Sequence, residues 1–364
     1  MTSPVGDSPI GDWPIGGWPV GAATGVGSLP GTDIREGTRL VFGELPDLPH
    51  LPELPARGPG ADMVGRAAAI LVDLPMEYVA GSWRLTDRAG GDVRRAQSWL
   101  SEDLDALEEM AQGYAGVLKV QMVGPWTLAA STETRTGHRA VSDPGLVREL
   151  AASLGEGLAT HVAQIRRRIP GISLVVQLDE PSLPAVLEGS ISTPSGLGRV
   201  RSVEPPVAQQ LLGEVIAATG EGVLPAVHCC ARRPPVSLFR RAGARALSLD
   251  LTVIGEELDD ELGEAVEAGT QLLAGVVPAV PGQVLSDAVL SDPATTVGPV
   301  RALWHRLGLP AEDLARRVSV TPTCGLAGAD DAFVRRALKS SRDAARLLVE
   351  DPEFRGRPGA EAAR

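Results

Sequence analysis

Three residues of the kinds that bind soft metal ions stand out in the sequence: His228, Cys230 and Cys324. The first two end one short apolar run and the third ends another, a pattern typical of the carboxyl ends of buried β-strands. Side chains alternate along an extended segment, so His228 and Cys230 are predicted to face one way and Cys229 the other. A catalytic zinc ion takes three protein ligands of these types and keeps a fourth position for a substrate. The pattern therefore predicts a zinc site that does chemistry.

An alternative interpretation treats the cysteines as packing residues. Free cysteine is among the most buried residue types and behaves as a small hydrophobe, which is our interpretation of Cys229. Asp250 favours a metal, because it ends the apolar run 246–249 and an acid in such a place is costly unless it is paired or bound to a cation. Asp250 is thus a candidate fourth ligand, with a helix N-cap as its alternative role.

Polar residues end three further apolar runs. Ser28 offers a hydroxyl, with nearby backbone N–H groups, to a carboxylate; the alternative is an ordinary turn built from the Gly and Pro residues around it. Asp179 and Glu180 place two carboxylates together, and we predict that Asp179 pairs with a substrate cation. The alternative is that one of the two caps a turn while the other is solvated. Glu77 ends the second predicted strand in the same manner.

Short β-like runs alternate with helical ones along most of the chain. Eight runs predict strands, at residues 22–28, 69–74, 116–123, 173–178, 223–228, 246–251, 270–275 and 318–321. Apolar residues at helical spacing predict helices at 92–111, 145–168, 205–218, 256–268, 296–306 and 329–348. This alternation predicts an α/β protein, a (β/α)8 TIM barrel over residues 22–348, with its site at the carboxyl ends of the strands. A doubly wound open sheet is the alternative, but no Gly-x-Gly-x-x-Gly motif follows the first strand.

Segments rich in Pro and Gly flank and interrupt this pattern. Pro-Val-Gly and Pro-Ile-Gly recur every five residues near the N-terminus, which opposes a helix or a regular ladder. We therefore expect residues 1–21 to be a disordered tail and residues 349–364 to be frayed. The Pro-rich stretch 45–59 is predicted to be a long loop over the rim of the site.

Composition limits the remaining possibilities. A chain of 364 residues with 43% hydrophobic residues can fill one large barrel. The net charge of −12 argues against nucleic-acid partners, and no apolar stretch is long enough to suggest a membrane span. Three cysteines make a poor disulfide framework and favour a reducing cytoplasm as the location.

Seven motifs occur in order along residues 22–345: Gly25-Val-Gly-Ser-Leu-Pro30, Met76-Glu-Tyr78, Gly124-Pro-Trp-Thr127, Gln177-Leu-Asp-Glu-Pro181, His228-Cys-Cys230, Leu247-Ser-Leu-Asp250 and Val320-Thr-Pro-Thr-Cys-Gly325. With these motifs the chain resembles the catalytic barrel of cobalamin-independent methionine synthase, in a short single-barrel form. The resemblance implies a zinc ion held by His228, Cys230, Asp250 and Cys324. It also implies that homocysteine is bound by Ser28, Glu77 and Asp179, the two carboxylates taking its ammonium group and Ser28 its carboxylate. Glu77 and Asp179 would then be the catalytic carboxylates.

The ligand types favour alkyl transfer to sulfur over hydrolysis. An aliphatic thiol has a pKa near ~8.5, and binding to Zn2+ removes its proton. Thiolate ligands donate charge to the metal and keep a bound sulfur nucleophilic, so the sulfur can attack a methyl group and give methionine. The methyl donor is left open between a methylated folate, a methyl-corrinoid and another small molecule, and a partner protein that carries the donor is one of the options.

Two departures from the family pattern affect the site. Position 250 is Asp where the long synthases have Glu, which shortens the carboxylate arm by one methylene. The family also places a proton-donating histidine after the seventh strand, yet residues 275–292 contain none; Asp287 and Asp292 are the candidate substitutes. The alternative functions are a barrel enzyme resembling uroporphyrinogen decarboxylase, which needs cavity-facing arginines, and a non-catalytic zinc or thiol-binding protein.

Overall fold

Residues 17–282 and 286–353 are described by the computed structural model. Their strands are β1 (Met76–Val79), β2 (Ser82–Leu85), β3 (Val117–Val123), β4 (Thr132–Glu133), β5 (Ser173–Asp179), β6 (Val223–Cys229), β7 (Ala246–Asp250), β8 (Gln271–Val277) and β9 (Val318–Pro322). Their longer helices are α1 (Ile34–Glu44), α2 (Met63–Ile70), α3 (Gly91–Met110), α4 (Pro125–Ser131), α5 (Pro144–Arg168), α6 (Leu183–Glu188), α7 (Pro205–Ala218), α8 (Val236–Arg241), α9 (Asp259–Glu267), α10 (Ser286–Ser291), α11 (Pro293–Arg306), α12 (Leu314–Arg317) and α13 (Asp331–Glu350).

Six parallel strands form a curved sheet in the order β3-β5-β6-β7-β8-β9. Two extended segments join its edges. Ala23 bridges Val320 of β9, and His50 bridges Lys119 of β3. The two segments then bridge each other, where the Leu29 N–H donates to the Glu53 carbonyl at 2.9 Å. Residues 23–28 and 50–53 thus occupy the places of the first and second barrel strands, and we call them the first and second staves. With them the sheet closes into the predicted (β/α)8 barrel.

The second stave is not where the sequence predicted it. The strand predicted at residues 69–74 begins inside α2, which spans residues 63–70, and the second stave is instead the stretch around His50–Glu53, which lies in the predicted rim loop. Proline cannot donate to a ladder and usually argues against a strand. Here the N–H donors of the ladder come from residues other than proline. The Leu51 N–H donates to the Lys119 carbonyl at 3.0 Å, and the Glu53 N–H donates to the Gly27 carbonyl at 3.2 Å. Pro52 lies between these two residues, and no ladder bond at its position requires an N–H group.

The interior of the barrel is layered along its axis. Its amino-terminal end holds an apolar cluster in which Trp18 packs with Leu48 and Val175, among others. The Trp18 indole N–H donates to the Ser319 hydroxyl at 3.0 Å, and the side chain is only 7% exposed. Trp18 therefore closes the bottom of the barrel, so the tail predicted to be disordered up to residue 21 is structured at this position. Residues 1–16 and 354–364 lie outside the described residues.

The helices packed around the barrel follow the predicted apolar spacing, and the predicted bounds of all six differ by no more than three residues from those of the helical segments. Local signals explain where two of them begin. Asp143 caps α5 by accepting from the Gly145 N–H at 2.8 Å, and Asp330 caps α13 by accepting from the Phe333 N–H at 2.7 Å. Within the described residues, no helix combines the length and apolar character that crossing a bilayer requires.

Candidate metal centre and substrate cavity

His228, Cys230 and Cys324 come together at the carboxyl ends of the barrel strands. His228 lies in β6, Cys230 directly follows that strand, and Cys324 lies two residues after β9. One potential ligand atom from each lies within 4.8 Å of the others, and the two Sγ atoms are 3.6 Å apart. For a tetrahedral site with Zn–S distances near 2.3 Å, two sulfur ligands would be about 3.8 Å apart. The three side chains therefore already have the spacing of a metal site.

The imidazole of His228 is oriented from behind by the neighbouring strand. Its Nδ1 lies 2.9 Å from the Ser248 hydroxyl of β7. Its Nε2 is buried and has no hydrogen-bond partner, which is costly for a polar atom unless a ligand satisfies it. A metal-bound histidine commonly has this arrangement, with one nitrogen on a second group and the other on the ion. The donor set of one imidazole and two thiols suits Zn2+.

The two thiols share a proton in the absence of an ion. The hydrogen bond with Cys230, with His228 beside it, lowers the pKa of the Cys324 thiol. The same hydrogen bond to Cys324, together with burial, raises the pKa of the Cys230 thiol. A cation placed between the two sulfur atoms would favour the ionised form of both thiols.

Cys229 and Asp250 take other roles. Cys229 is fully buried in the apolar layer outside the sheet, and burial raises its pKa to about 12, in agreement with the packing role predicted for it. Asp250 does not belong to the cluster of potential ligands. Its Oδ1 accepts from the Thr252 N–H at 2.9 Å and from the Thr252 hydroxyl at 2.6 Å. The carboxylate therefore stabilises the turn after β7.

A cavity of about 310 Å3 opens beside His228, Cys230 and Cys324, and these side chains form part of its wall. Its other polar side chains are Ser28, Glu53 and Asp179. The structure thus places two of the three predicted substrate-binding residues, Ser28 and Asp179, against the cavity. The volume suits a small molecule of amino-acid size.

Ser28 reaches the cavity through a close contact between two loops. The Leu326 N–H donates to the Ser28 carbonyl at 2.8 Å. A Cβ at Gly325 would lie 2.1 Å from the Ser28 hydroxyl oxygen, so a larger residue next to Cys324 would displace this hydroxyl from its position. The Cys-Gly pair therefore places a metal-binding side chain and the Ser28 hydroxyl side by side.

Asp179 and Glu53 bring two carboxylates into the cavity from neighbouring sides. Burial raises the pKa of Asp179, opposed by the nearby His228 and by a 2.7 Å hydrogen bond from the Gln177 amide. Burial also raises the pKa of Glu53 to about 7, opposed mainly by the charge of Arg66. The charge of Asp179 also raises the pKa of Glu53 by repulsion. A cation placed between them would relieve this repulsion.

Glu53 was missed by sequence reasoning, and Glu77 was preferred in its place. Glu77 lies in β1, which forms an antiparallel hairpin with β2 outside the barrel sheet, and it is not among the side chains that line the cavity. The prediction that it binds substrate followed from the wrong second strand. The signal for Glu53 was an acidic residue inside an otherwise apolar, Pro-rich run that ends near Ser28 in space.

Glu180, next to Asp179, has a structural role. Its carboxylate accepts from the Trp126 and Thr127 N–H groups at 2.9 and 2.8 Å, and from the Thr127 hydroxyl at 2.8 Å. It therefore caps α4 from a neighbouring loop, although burial raises its pKa to about 7. The predicted alternative of one capping carboxylate was thus realised, but the other, Asp179, is buried rather than solvated.

The two acids proposed as proton donors lie elsewhere. Asp292 caps α11 and accepts from the Thr295 hydroxyl at 2.7 Å. Asp287 is exposed and pairs with Arg336 at 3.3 Å. Neither lines the cavity in the described part of the chain.

Comparison with known proteins identifies the family. A family model described as "Cobalamin-independent synthase, Catalytic domain" matches residues 21–347. The chain belongs to this family. Cobalamin-independent methionine synthases transfer a methyl group to homocysteine and form methionine, so the protein is a methyltransferase of this type. No curated protein sequence matches the chain significantly.

A solved structure supports the fold of this synthase. A B12-independent methionine synthase from Shewanella sp. W3-18-1, in complex with selenomethionine, is 12% identical, with a TM-score of 0.61 over 91% of this chain and 98% of that one. A structure of an uncharacterized protein is 11% identical over 67% of this chain and 65% of that one, and its TM-score of 0.27 carries no argument. At such identities the likeness concerns the barrel alone.

The cavity of the synthase also bears on the alternative functions. No arginine is among the residues lining the described cavity, whereas a decarboxylase acting on a polycarboxylate would need several. The metal cluster contains three protein side chains within the described residues. A closed binding site would use a fourth protein ligand, so the arrangement favours an open position facing the cavity.

Proposed function

We propose that the protein methylates the sulfur of homocysteine with the help of a zinc ion held by His228, Cys230 and Cys324. The observation that carries this proposal is the adjacency of the three ligands to a cavity containing two carboxylates and a hydroxyl. Bound there, zinc supplies the positive charge that keeps an aliphatic thiol ionised at neutral pH and therefore nucleophilic.

The remaining groups of the cavity match the other end of homocysteine. Glu53 and Asp179 offer two buried carboxylates to its ammonium group, and the charge they share makes an ammonium the favoured occupant. Ser28 offers its hydroxyl to the carboxylate of the amino acid. An amino acid held at this end would direct its thiol toward His228, Cys230 and Cys324.

Cys230 and Cys324 have a second function in this scheme. Two ionised thiolate ligands would reduce the net positive charge of the metal site, so the sulfur of a substrate bound there would stay nucleophilic. Ser248 holds the His228 ring through Nδ1, which leaves Nε2 available to bind the ion. The family implies a methylated folate as the donor, and we propose this class of donor here.

The test combines metal analysis with X-ray absorption on the purified protein. We expect one zinc per chain, and one additional sulfur ligand when homocysteine is added. Methyl transfer is then measured with methyltetrahydrofolate and, separately, with methylcobalamin as the donor. A protein without zinc, or a sulfur count that does not change with homocysteine, would contradict the proposal; transfer from methylcobalamin alone would replace the donor.

A further inference from the structure

A chain of buried charges runs from the cavity wall to the outer helices. The Arg66 Nε of α2 lies 3.3 Å from the Glu53 carboxylate, and the Arg66 Nη1 donates to the Asp103 carboxylate of α3. Arg57 binds the other oxygen of Asp103 at 2.7 Å. The side chains of Arg66 and Asp103 are only 2% and 0% exposed. Removing four charges from water is costly, and their mutual attraction offsets this cost only when the geometry is good.

The geometry of this chain restricts what Arg66 can do. Asp103 holds the guanidinium in place through Nη1, so the Nε edge is presented to Glu53. The Arg66 Nε lies close to Glu53 but is not oriented to donate a hydrogen bond to it, so Arg66 acts on Glu53 mainly through its charge. Glu53 therefore keeps its oxygens available to the cavity while a fixed positive charge lies behind it.

We propose that Arg66, fixed by Asp103, is a positioning residue that keeps Glu53 charged and aimed at the ammonium group of the amino-acid substrate. This inference rests on the proposed function, since it assigns a partner to one of the carboxylates that would bind homocysteine. Arg66 does not line the cavity, so its effect on the substrate passes through Glu53.

The surroundings of Glu53 explain why a supporting charge is needed. Lys119 and Gln121 face Glu53 from β3, Asp179 faces it from β5, and Arg66 faces it from α2. Burial and Asp179 raise the pKa of Glu53, while Arg66 gives the largest opposing effect. Burial lowers the pKa of Lys119 to about 8, so this lysine holds its positive charge less firmly than an exposed lysine does. Without Arg66, the pKa of Glu53 would be higher, so a smaller fraction of the carboxyl would be charged at neutral pH and able to attract an ammonium ion.

The experiment compares two thiols that differ only in the ammonium group. The dissociation constants of L-homocysteine and 4-mercaptobutanoate are measured by calorimetry on the zinc-loaded full chain, between about pH 6.5 and pH 8.5. Arg66→Gln removes the charge but keeps a hydrogen-bonding side chain. The control is Arg57→Gln, which removes an ion pair to the same Asp103 without touching Glu53.

We expect Arg66→Gln to reduce the preference for homocysteine about fivefold at pH 7, because a rise of one pKa unit from about 7 lowers the ionised fraction of Glu53 from about one half to about one eleventh. The loss is expected to shrink as the pH rises and Glu53 ionises. Arg66→Lys is expected to recover part of the preference, and Arg57→Gln to retain it. If Arg66 has only a structural role, Arg66→Gln will weaken the binding of both thiols equally at every pH, and this result would overturn the inference.

If Arg66→Gln fails to fold, Asp103→Asn is measured in its place, because it removes the carboxylate that holds Arg66 against Glu53. A preference at least threefold below that of Arg57→Gln supports the inference, and an equal preference overturns it. Should the wild-type protein bind neither thiol in a zinc-dependent way, the proposed function itself fails. Binding of both thiols by the wild type, with no preference for homocysteine, would remove the role of Glu53 and with it that of Arg66.

Discussion

The Sγ atoms of Cys230 and Cys324 lie 3.6 Å apart although 94 residues separate them in the chain. The two cysteines follow strands β6 and β9, which are not neighbours in the sheet: β7 and β8 stand between them. Only the curvature of the barrel brings the ends of these strands together around a common axis. The metal-binding pair is thus a product of barrel closure.

Loss of either thiol is expected to abolish metal binding while the fold remains. Cys230→Ser and Cys324→Ser each remove one of three ligands, and both side chains lie at the open end of the barrel rather than in its core. Zinc content and circular dichroism measure the two effects separately. Unfolding of both variants would indicate a structural metal site instead.

Cys229→Ala provides the matched control for this pair. Its side chain is buried on the other face of the same strand, so we expect normal zinc content and a modest loss of stability, about 1 kcal/mol. Loss of zinc in this variant would show that the metal does not depend on the two facing cysteines alone.

Ser248→Ala tests the support of the histidine ligand. The Ser248 hydroxyl lies 2.9 Å from the His228 Nδ1, and removal of such a partner typically weakens metal affinity about 10- to 100-fold. A competition titration with a zinc chelator measures the change. Ser319→Ala is the control, because that buried hydroxyl bonds Trp18 at the opposite end of the barrel; an equal loss in both variants would contradict the prediction.

The sequence was sufficient to predict that His228, Cys230 and Cys324 meet, because its signals are local. His228 and Cys230 share a face by simple alternation along a strand, and the apolar runs before them and before Cys324 are buried strands in the structure. Parallel strands of one barrel end at the same edge, so residues at their ends meet regardless of their separation in sequence. The fold and this part of the site follow from the same pattern.

Glu53 could not be predicted in the same way, because its strand is irregular. The second stave contains prolines and makes only a few ladder bonds, so no alternation marks it. Its position is set by pairing with Gly27 and Lys119, which are contacts between distant segments. The preference for Glu77 followed from placing that stave too late in the chain.

The two glutamates give opposite expectations for substrate binding. Glu53→Gln is expected to weaken homocysteine binding at least about tenfold, since a buried carboxylate facing the ammonium group is lost. Because the pKa of Glu53 is about 7, wild-type affinity is expected to fall more steeply than that of the variant as the pH drops from 8 to 6; the variant keeps only the dependence that comes from ionisation of the bound thiol. Calorimetry checks both effects, with Glu77→Gln as the control. A loss confined to Glu77→Gln would restore the sequence-based assignment.

Acid stability is expected to depend on His161. Burial lowers its pKa from 6.5 to about 3, and neither ring nitrogen has a hydrogen-bond partner. Between these values the unfolded chain binds one more proton than the folded chain, so stability falls as the pH decreases, by about 1.4 kcal/mol per pH unit. We expect His161→Gln to reduce the slope of unfolding free energy against pH by that amount between pH 4 and 6. The exposed His138→Gln variant is expected to keep the wild-type slope.

Trp18 tests whether the residues before the first stave belong to the folded barrel. Its indole fills the amino-terminal end of the barrel and is 7% exposed, whereas the nearby Val20 is 56% exposed. Trp18→Ala is expected to lower the free energy of unfolding by about 3–5 kcal/mol, as for other buried aromatic side chains. Val20→Ala is expected to change it little. Urea denaturation measures both values, and equal midpoints for Trp18→Ala and the wild type would return this segment to the tail. Because the metal site lies at the opposite end of the barrel, the zinc content of folded Trp18→Ala is expected to stay at the wild-type value.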